Sequence, residues 1–142
     1  MLSICGETAM IEQEIQTEES SEPVFENDSA IAVRSNNLKD NTLVGSYVII
    51  PKSQVSSPFE LSDKEWLDTK QLLNKVKEYI DNVYHPDGYN IGWNVGEVAG
   101  QSVAHAHLHI LPRYADEPFA GRGIRSWLKR PENIRGALKD KK

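Results

Sequence analysis

The sequence predicts an α+β domain with a mainly antiparallel sheet. Short apolar runs, bounded by turn formers, stand on either side of one long helical segment. The last two runs are joined by a short glycine-bearing link, which suits an antiparallel pair rather than a parallel crossover.

The first pair is "PVFE" (23–26) and "AIAVRS" (30–35), read as a hairpin turned by Asn27, Asp28 and Ser29. After the polar "NNLKDNT", the run "GSYVIIP" (45–51) reads as a strand stopped by Pro51. Ser62 followed three residues later by Glu65 is a capping box, and it opens a helix. Trp66, Leu73, Val76, Ile80, Val83 and Tyr84 keep helical spacing up to Tyr84, and His85-Pro86-Asp87-Gly88 stops the helix. "YNIGWNV" (89–95) alternates as a strand does. "GEVAG" (96–100) then leads into a final strand ending at Pro112.

With 142 residues the chain has the length of one ordinary domain. No apolar run approaches the roughly 18 residues needed to cross a bilayer. No basic region precedes an apolar stretch at the start of the sequence, so the expected location is cytoplasmic. Cys5 stands alone, which excludes an internal disulfide and any Cys-x-x-Cys knuckle. The net charge of −5 conceals an asymmetry, because acids from Glu7 to Asp28 precede the first cation, Arg34. The end is basic, from Arg122 and Arg125 through Lys129, Arg130 and Arg135 to Lys142. An acidic pI near 5.4 argues against a general nucleic-acid surface. The basic end suits either a phosphate-bearing ligand or a partner chain.

Three of the four histidines, His105, His107 and His109, lie at alternate positions of "GQSVAHAHLHILPRY". A regular strand would present them as a row on one face, with Ala104, Ala106, Leu108 and Ile110 on the other. A single metal ion is a poor fit, because the first and third Cα atoms of such a row are roughly 13 Å apart. Zn–N bonds are only about 2.0–2.1 Å. No second cysteine or acidic cluster offers a fourth ligand. An imidazole can instead attack phosphorus and split one displacement into two easier ones. "NVGEVAGQS" supplies candidate donors for the phosphate oxygens: main-chain N–H groups around Gly96 and Gly100, and the side chains of Asn94, Gln101 and Ser102.

These residues resemble the histidine triad (HIT) family. His105-Ala106-His107-Leu108-His109-Ile110-Leu111 is similar to its His-φ-His-φ-His-φ-φ signature, where φ is apolar. Asn94, Gly96, Gly100, Gln101, Ser102 and Val103 match the preceding family motif, and "GSYVIIPKSQ" is similar to an upstream one. The resemblance covers roughly residues 24–114. It implies a five-stranded antiparallel sheet with two helices, dimerising into a ten-stranded sheet. It also implies a hydrolase or nucleotidyl transferase acting at the α-phosphate of an adenosine-type nucleotide. The bond cleaved is P–N in a phosphoramidate or P–O–P in a dinucleoside polyphosphate, through a nucleotidyl-histidine and without a metal or other cofactor.

By position, the resemblance makes His107 the nucleophile. His109 contacts the phosphate and leaving-group oxygens, and His105 orients His107. Gln101 and Ser102 hold the phosphate or the bridging atom, with Asn94 assisting and Gly100 allowing close approach. Ser46 and Gln54 stand where many members have histidine. Near Ser35 and Asn36 the usual ribose-binding acid is replaced, leaving Asn36 to bond a hydroxyl. A non-catalytic nucleotide-binding or scaffold protein of the same fold is the competing expectation. The division expected is a mobile acidic lead (1–22), a core (23–114) and a basic extension (115–142) packed on the domain or the dimer partner. Ile124, Trp127 and Leu128 would dock that extension, while Arg122 and Arg125 could reach a polyphosphate.

Overall fold

The computed structural model describes residues 22–35 and 42–139. The acidic lead, apart from Glu22, and Asn36 therefore lie outside the described residues. Five strands follow in chain order: β1 (Phe25–Glu26), β2 (Ala30–Arg34), β3 (Tyr47–Pro51), β4 (Gly88–Trp93) and β5 (Leu108–Arg113). One α-helix, α1 (Asp63–Tyr84), separates β3 from β4. Two helices are expected from the resemblance. Among the described residues there is one α-helix, and the other helical turns are 3₁₀ turns of three or four residues.

The turn between β1 and β2 forms as its composition requires. The Asn27 side-chain oxygen accepts from the amides of Ser29 and Ala30, at 3.2 and 3.1 Å. At the start of α1, the Ser62 hydroxyl accepts from the Glu65 amide, and the Glu65 carboxylate accepts from the Ser62 amide. The helix ends where His85 adopts a left-handed conformation, φ 51°. Its buried stripe is Thr69, Leu72, Val76 and Ile80, whereas Trp66 and Val83 are about half exposed. Trp66 stacks on Trp93 of β4 instead of entering the core.

All neighbouring strands are antiparallel, in the order β1-β2-β3-β5-β4. The β4–β5 hairpin thus inserts its second strand beside β3 and leaves β4 at an edge. Register separates the two faces. Tyr47 pairs with Ile110, and both join Ala30, Ala32, Ile49 and Leu108 under α1. Val48 pairs with His109, so His109 shares the opposite face with Val33, Val48 and Ile50. The helix covers one side of the sheet, and the histidine side is the other.

Several boundaries differ from expectation, with β1 starting at Phe25 rather than Pro23 and β3 at Tyr47 rather than Gly45. β4 ends at Trp93 rather than Val95, because the chain there turns toward the glycine link. β5 continues through Pro112 to Arg113, since Pro112 faces Tyr89 and Arg113 faces Gly88 in the ladder. No described helix is long and apolar enough to cross a membrane.

Candidate functional site

The three histidines do not form a row. Regular pairing starts at Leu108, so only His109 belongs to β5. Before Leu108 the chain leaves the ladder: Ile50 and Pro51 still belong to β3 but pair only with β2, and the Ala106 amide donates to Val55 O instead, at 2.9 Å. His105 is buried at 1% exposure, with Nε2 2.6 Å from Pro51 O. A carbonyl can only accept, so this nitrogen carries a proton.

The same logic sets the tautomer of His107. Its Nδ1 lies 2.9 Å from the main-chain oxygen of His105. Nδ1–H therefore donates, and the neutral ring keeps its lone pair on Nε2. The contact from His105 to His107 runs through backbone oxygen rather than ring to ring. His107 and His109 meet edge to face, with centroids 4.8 Å apart. Burial of the His109 ring, and secondarily the charge of His107, hold His109 below the usual imidazole range. Both effects favour the uncharged form of the His109 ring.

The loop before the histidines is held by its own amides. Gly96 and Gly100 have φ of 88° and 101°, values that L side chains rarely adopt. Gly96 N–H donates to the Gln101 side-chain oxygen at 2.8 Å, and Gly100 N–H donates to Glu97 O at 2.9 Å. These two amides are therefore used within the turn. Gln101 also donates through Nε2 to Ser56 O at 2.8 Å, tying this loop to the segment after β3. Ser102 is exposed and hydrogen-bonds to none of the described residues, so its amide and hydroxyl are available to a ligand. Asn94 is exposed, with its amide nitrogen 3.5 Å from Gly100 O. Ser46 is buried and donates to Leu43 O at 2.6 Å, so it closes a turn, while Gln54 is exposed. Among the described residues no group of three His, Cys, Asp or Glu is arranged to hold a metal ion.

One residue of the site region has no counterpart in the sequence reading. Arg113, on the His109 face of β5, pairs with Glu117 and donates to the Asn90 side chain. It also reaches the main-chain oxygens of Phe119, at 2.9 Å, and Arg122, at 2.6 Å. The segment after β5 is thus stapled across β4 on the histidine side. The signal available in sequence was the parity of Arg113 with His109 once Pro112 is allowed inside an edge-ward ladder.

Taken with the register, this geometry defines a class: an α+β protein offering an imidazole lone pair beside a second, neutral imidazole and a glycine-hinged loop of donors. The HIT domain family profile matches residues 16–116, and the chain belongs to that family. It is 36% identical over 94 residues to an adenosine 5′-monophosphoramidase of Schizosaccharomyces pombe, covering 66% of this chain and 68% of that one. It is 38% identical over 71 residues to an asymmetrical bis(5′-nucleosyl)-tetraphosphatase of the same organism, covering 50% of this chain and 39% of the relative. The crystal structure of a HIT family member from Bacillus subtilis superposes with a TM-score of 0.59 at 28% identity. That match covers 75% of this chain and 74% of the other.

Proposed function

We propose that this protein is a nucleotide hydrolase or nucleotidyl transferase that works through a covalent intermediate on His107. One observation carries the reading: the His105 carbonyl holds Nδ1–H of His107 and leaves the lone pair on Nε2. In the first step that lone pair attacks the α-phosphorus of an adenosine-type nucleotide. A P–N bond forms, and the P–N or P–O bond to the leaving group breaks with its electron pair. The leaving group takes a proton from water. The ring, still protonated at Nδ1, is now cationic, and the His105 oxygen stabilises that charge.

In the second step water attacks the phosphorus and gives its proton to solvent, and the P–N electrons return to Nε2. His109, kept neutral by burial, donates a hydrogen bond to the phosphate or leaving-group oxygens without repelling the cationic intermediate. Ser102 binds the phosphate, with Asn94 beside it. Gln101 and Gly100 set the loop that presents them. Asn36 is assigned to the ribose by its position in the sequence. The names of the relatives support both bond types, P–N and P–O–P. The assembly we propose is a homodimer in which β4, at the sheet edge, pairs with β4 of a second copy to make ten strands.

The test is intact-protein mass spectrometry after mixing adenosine 5′-phosphoramidate or diadenosine polyphosphates with wild type and His107→Ala, quenched at alkaline pH. An adenylyl adduct on the wild type alone is expected, with the variant folded and still able to bind AMP. Turnover by His107→Ala near the wild-type rate would overturn the assignment. AMP binding without turnover by the wild type would make the protein a nucleotide binder.

A further inference from the structure

The chain has an excess of acidic residues, yet it assembles four cations beside the histidine face. A cavity of about 700 Å³ is lined by Asn90, Arg122, Arg125, Lys129 and Arg130, with Glu132 as its one carboxylate. That volume falls within the roughly 300–1,000 Å³ of small-molecule sites. Register fixes the cavity's position. Gly92 is the cross-strand partner of His109, and Ile124 Cδ1 comes within 3.8 Å of where a Gly92 Cβ would stand. Asn90, two residues along β4, projects on the same face, with Nδ2 3.6 Å from where a Gly123 Cβ would stand. The cavity therefore opens one strand spacing, about 4.8 Å, from the strand of His109.

The cations are positioned without being neutralised. Arg122 lies over the Phe119 ring at 4.8 Å and Arg130 over Trp127 at 5.0 Å. Among the described residues, none of Arg122, Arg125, Lys129 and Arg130 forms an ion pair with a carboxylate. Arg113, by contrast, is consumed by Glu117 and by the carbonyls it staples. One arginine holds the segment in place, and the others face solvent with their charge available. Four cations against one carboxylate suit a polyanion, not a neutral or cationic group.

We infer that this cavity binds the polyphosphate chain that leaves when the α-phosphate transfers to His107. The inference rests on the proposed reaction and narrows it: the preferred substrates carry several phosphates beyond the α-phosphate. Phosphoramidates, which have no such chain, react without using the cavity.

Two measurements test this, and the first needs no turnover. Inorganic tripolyphosphate is titrated calorimetrically into wild type, into the double variant Arg125→Ala/Lys129→Ala, and into Lys75→Ala as a control for lost surface charge. Lys75 is an exposed cation on α1, remote from the cavity. The double variant is expected to bind at least tenfold more weakly, and the control as wild type does. Equal binding by all three overturns the inference, as does equal weakening by the control. The second measurement compares kcat/KM for diadenosine tetraphosphate and adenosine 5′-phosphoramidate. A tenfold or larger loss confined to the tetraphosphate is expected, and an equal effect on both substrates overturns the inference. Loss of tripolyphosphate binding with no turnover of either substrate by wild type would refute the catalytic reading and leave the anion site standing.

Discussion

Replacing Gly100 by Ala isolates what the loop before the histidines demands of its backbone. A Cβ at Gly100 would meet the Asn94 amide nitrogen at 3.5 Å, an ordinary contact, so crowding adds little. The cost lies in φ. At 101° the residue stands beyond the left-handed well near +57°, where an L side chain already costs about 1–2 kcal/mol. A loss of about 2 kcal/mol follows if the loop keeps its shape, which for a chain of this length lowers Tm by about 6–8 °C. If the loop relaxes instead, stability recovers and AMP affinity falls, because Ser102 and Asn94 move with it. Gly88→Ala supplies the opposite sign. Gly88 has no heavy atom within 4 Å of its would-be Cβ and does not take a positive φ. Reducing the freedom of the unfolded chain there should stabilise by about 0.4–1 kcal/mol. Thermal melts of both variants, with AMP titrations, decide the matter. Equal destabilisation by the two substitutions, or Gly100→Ala matching wild type in both Tm and AMP affinity, would refute the argument.

Two further outcomes are expected. NMR titration of His109 should give a midpoint below the free-imidazole value of about 6.5, because burial and His107 both disfavour its charge; a midpoint at or above that value counts against the geometry. The sign for stability follows. With its folded pKa depressed, His109 contributes fully above about pH 6.5, and its contribution is lost as pH falls toward the folded value, since the unfolded chain takes the proton first. His109→Gln should remove that part of the slope in a Tm-versus-pH series. Ile80→Ala, at a position with 0% exposure beneath the sheet, should cost about 3 kcal/mol or roughly 10 °C, measured by thermal or urea unfolding. A loss under 1 kcal/mol would mean that α1 does not pack as described.

Local chemistry was legible wherever neighbours in sequence are also neighbours in space. The Asn27 turn, the Ser62–Glu65 box and the alternation of Leu108, His109 and Ile110 are such cases, because each bond or face is decided within a few residues. The histidine and glycine positions were legible for the same reason, and with them the family.

What the tertiary structure decided depends on groups far apart in the chain. His105 leaves the expected row because its ring is drawn to Pro51 O, 54 residues away. That burial turns its own carbonyl onto His107 and chooses the nitrogen that keeps the lone pair. Gln101 reads in sequence as a phosphate ligand, but its amide spans two loops by bonding Gly96 and Ser56. The basic end reads as an extension docked through Ile124, Trp127 and Leu128, and within the single chain Arg113 staples the segment over β4 while Trp127 and Leu128 stay exposed. Periodicity within the chain determined the elements and the chemistry they can carry. Register between strands, with the carbonyls left over at their ends, determined which face, tautomer and cations that chemistry meets.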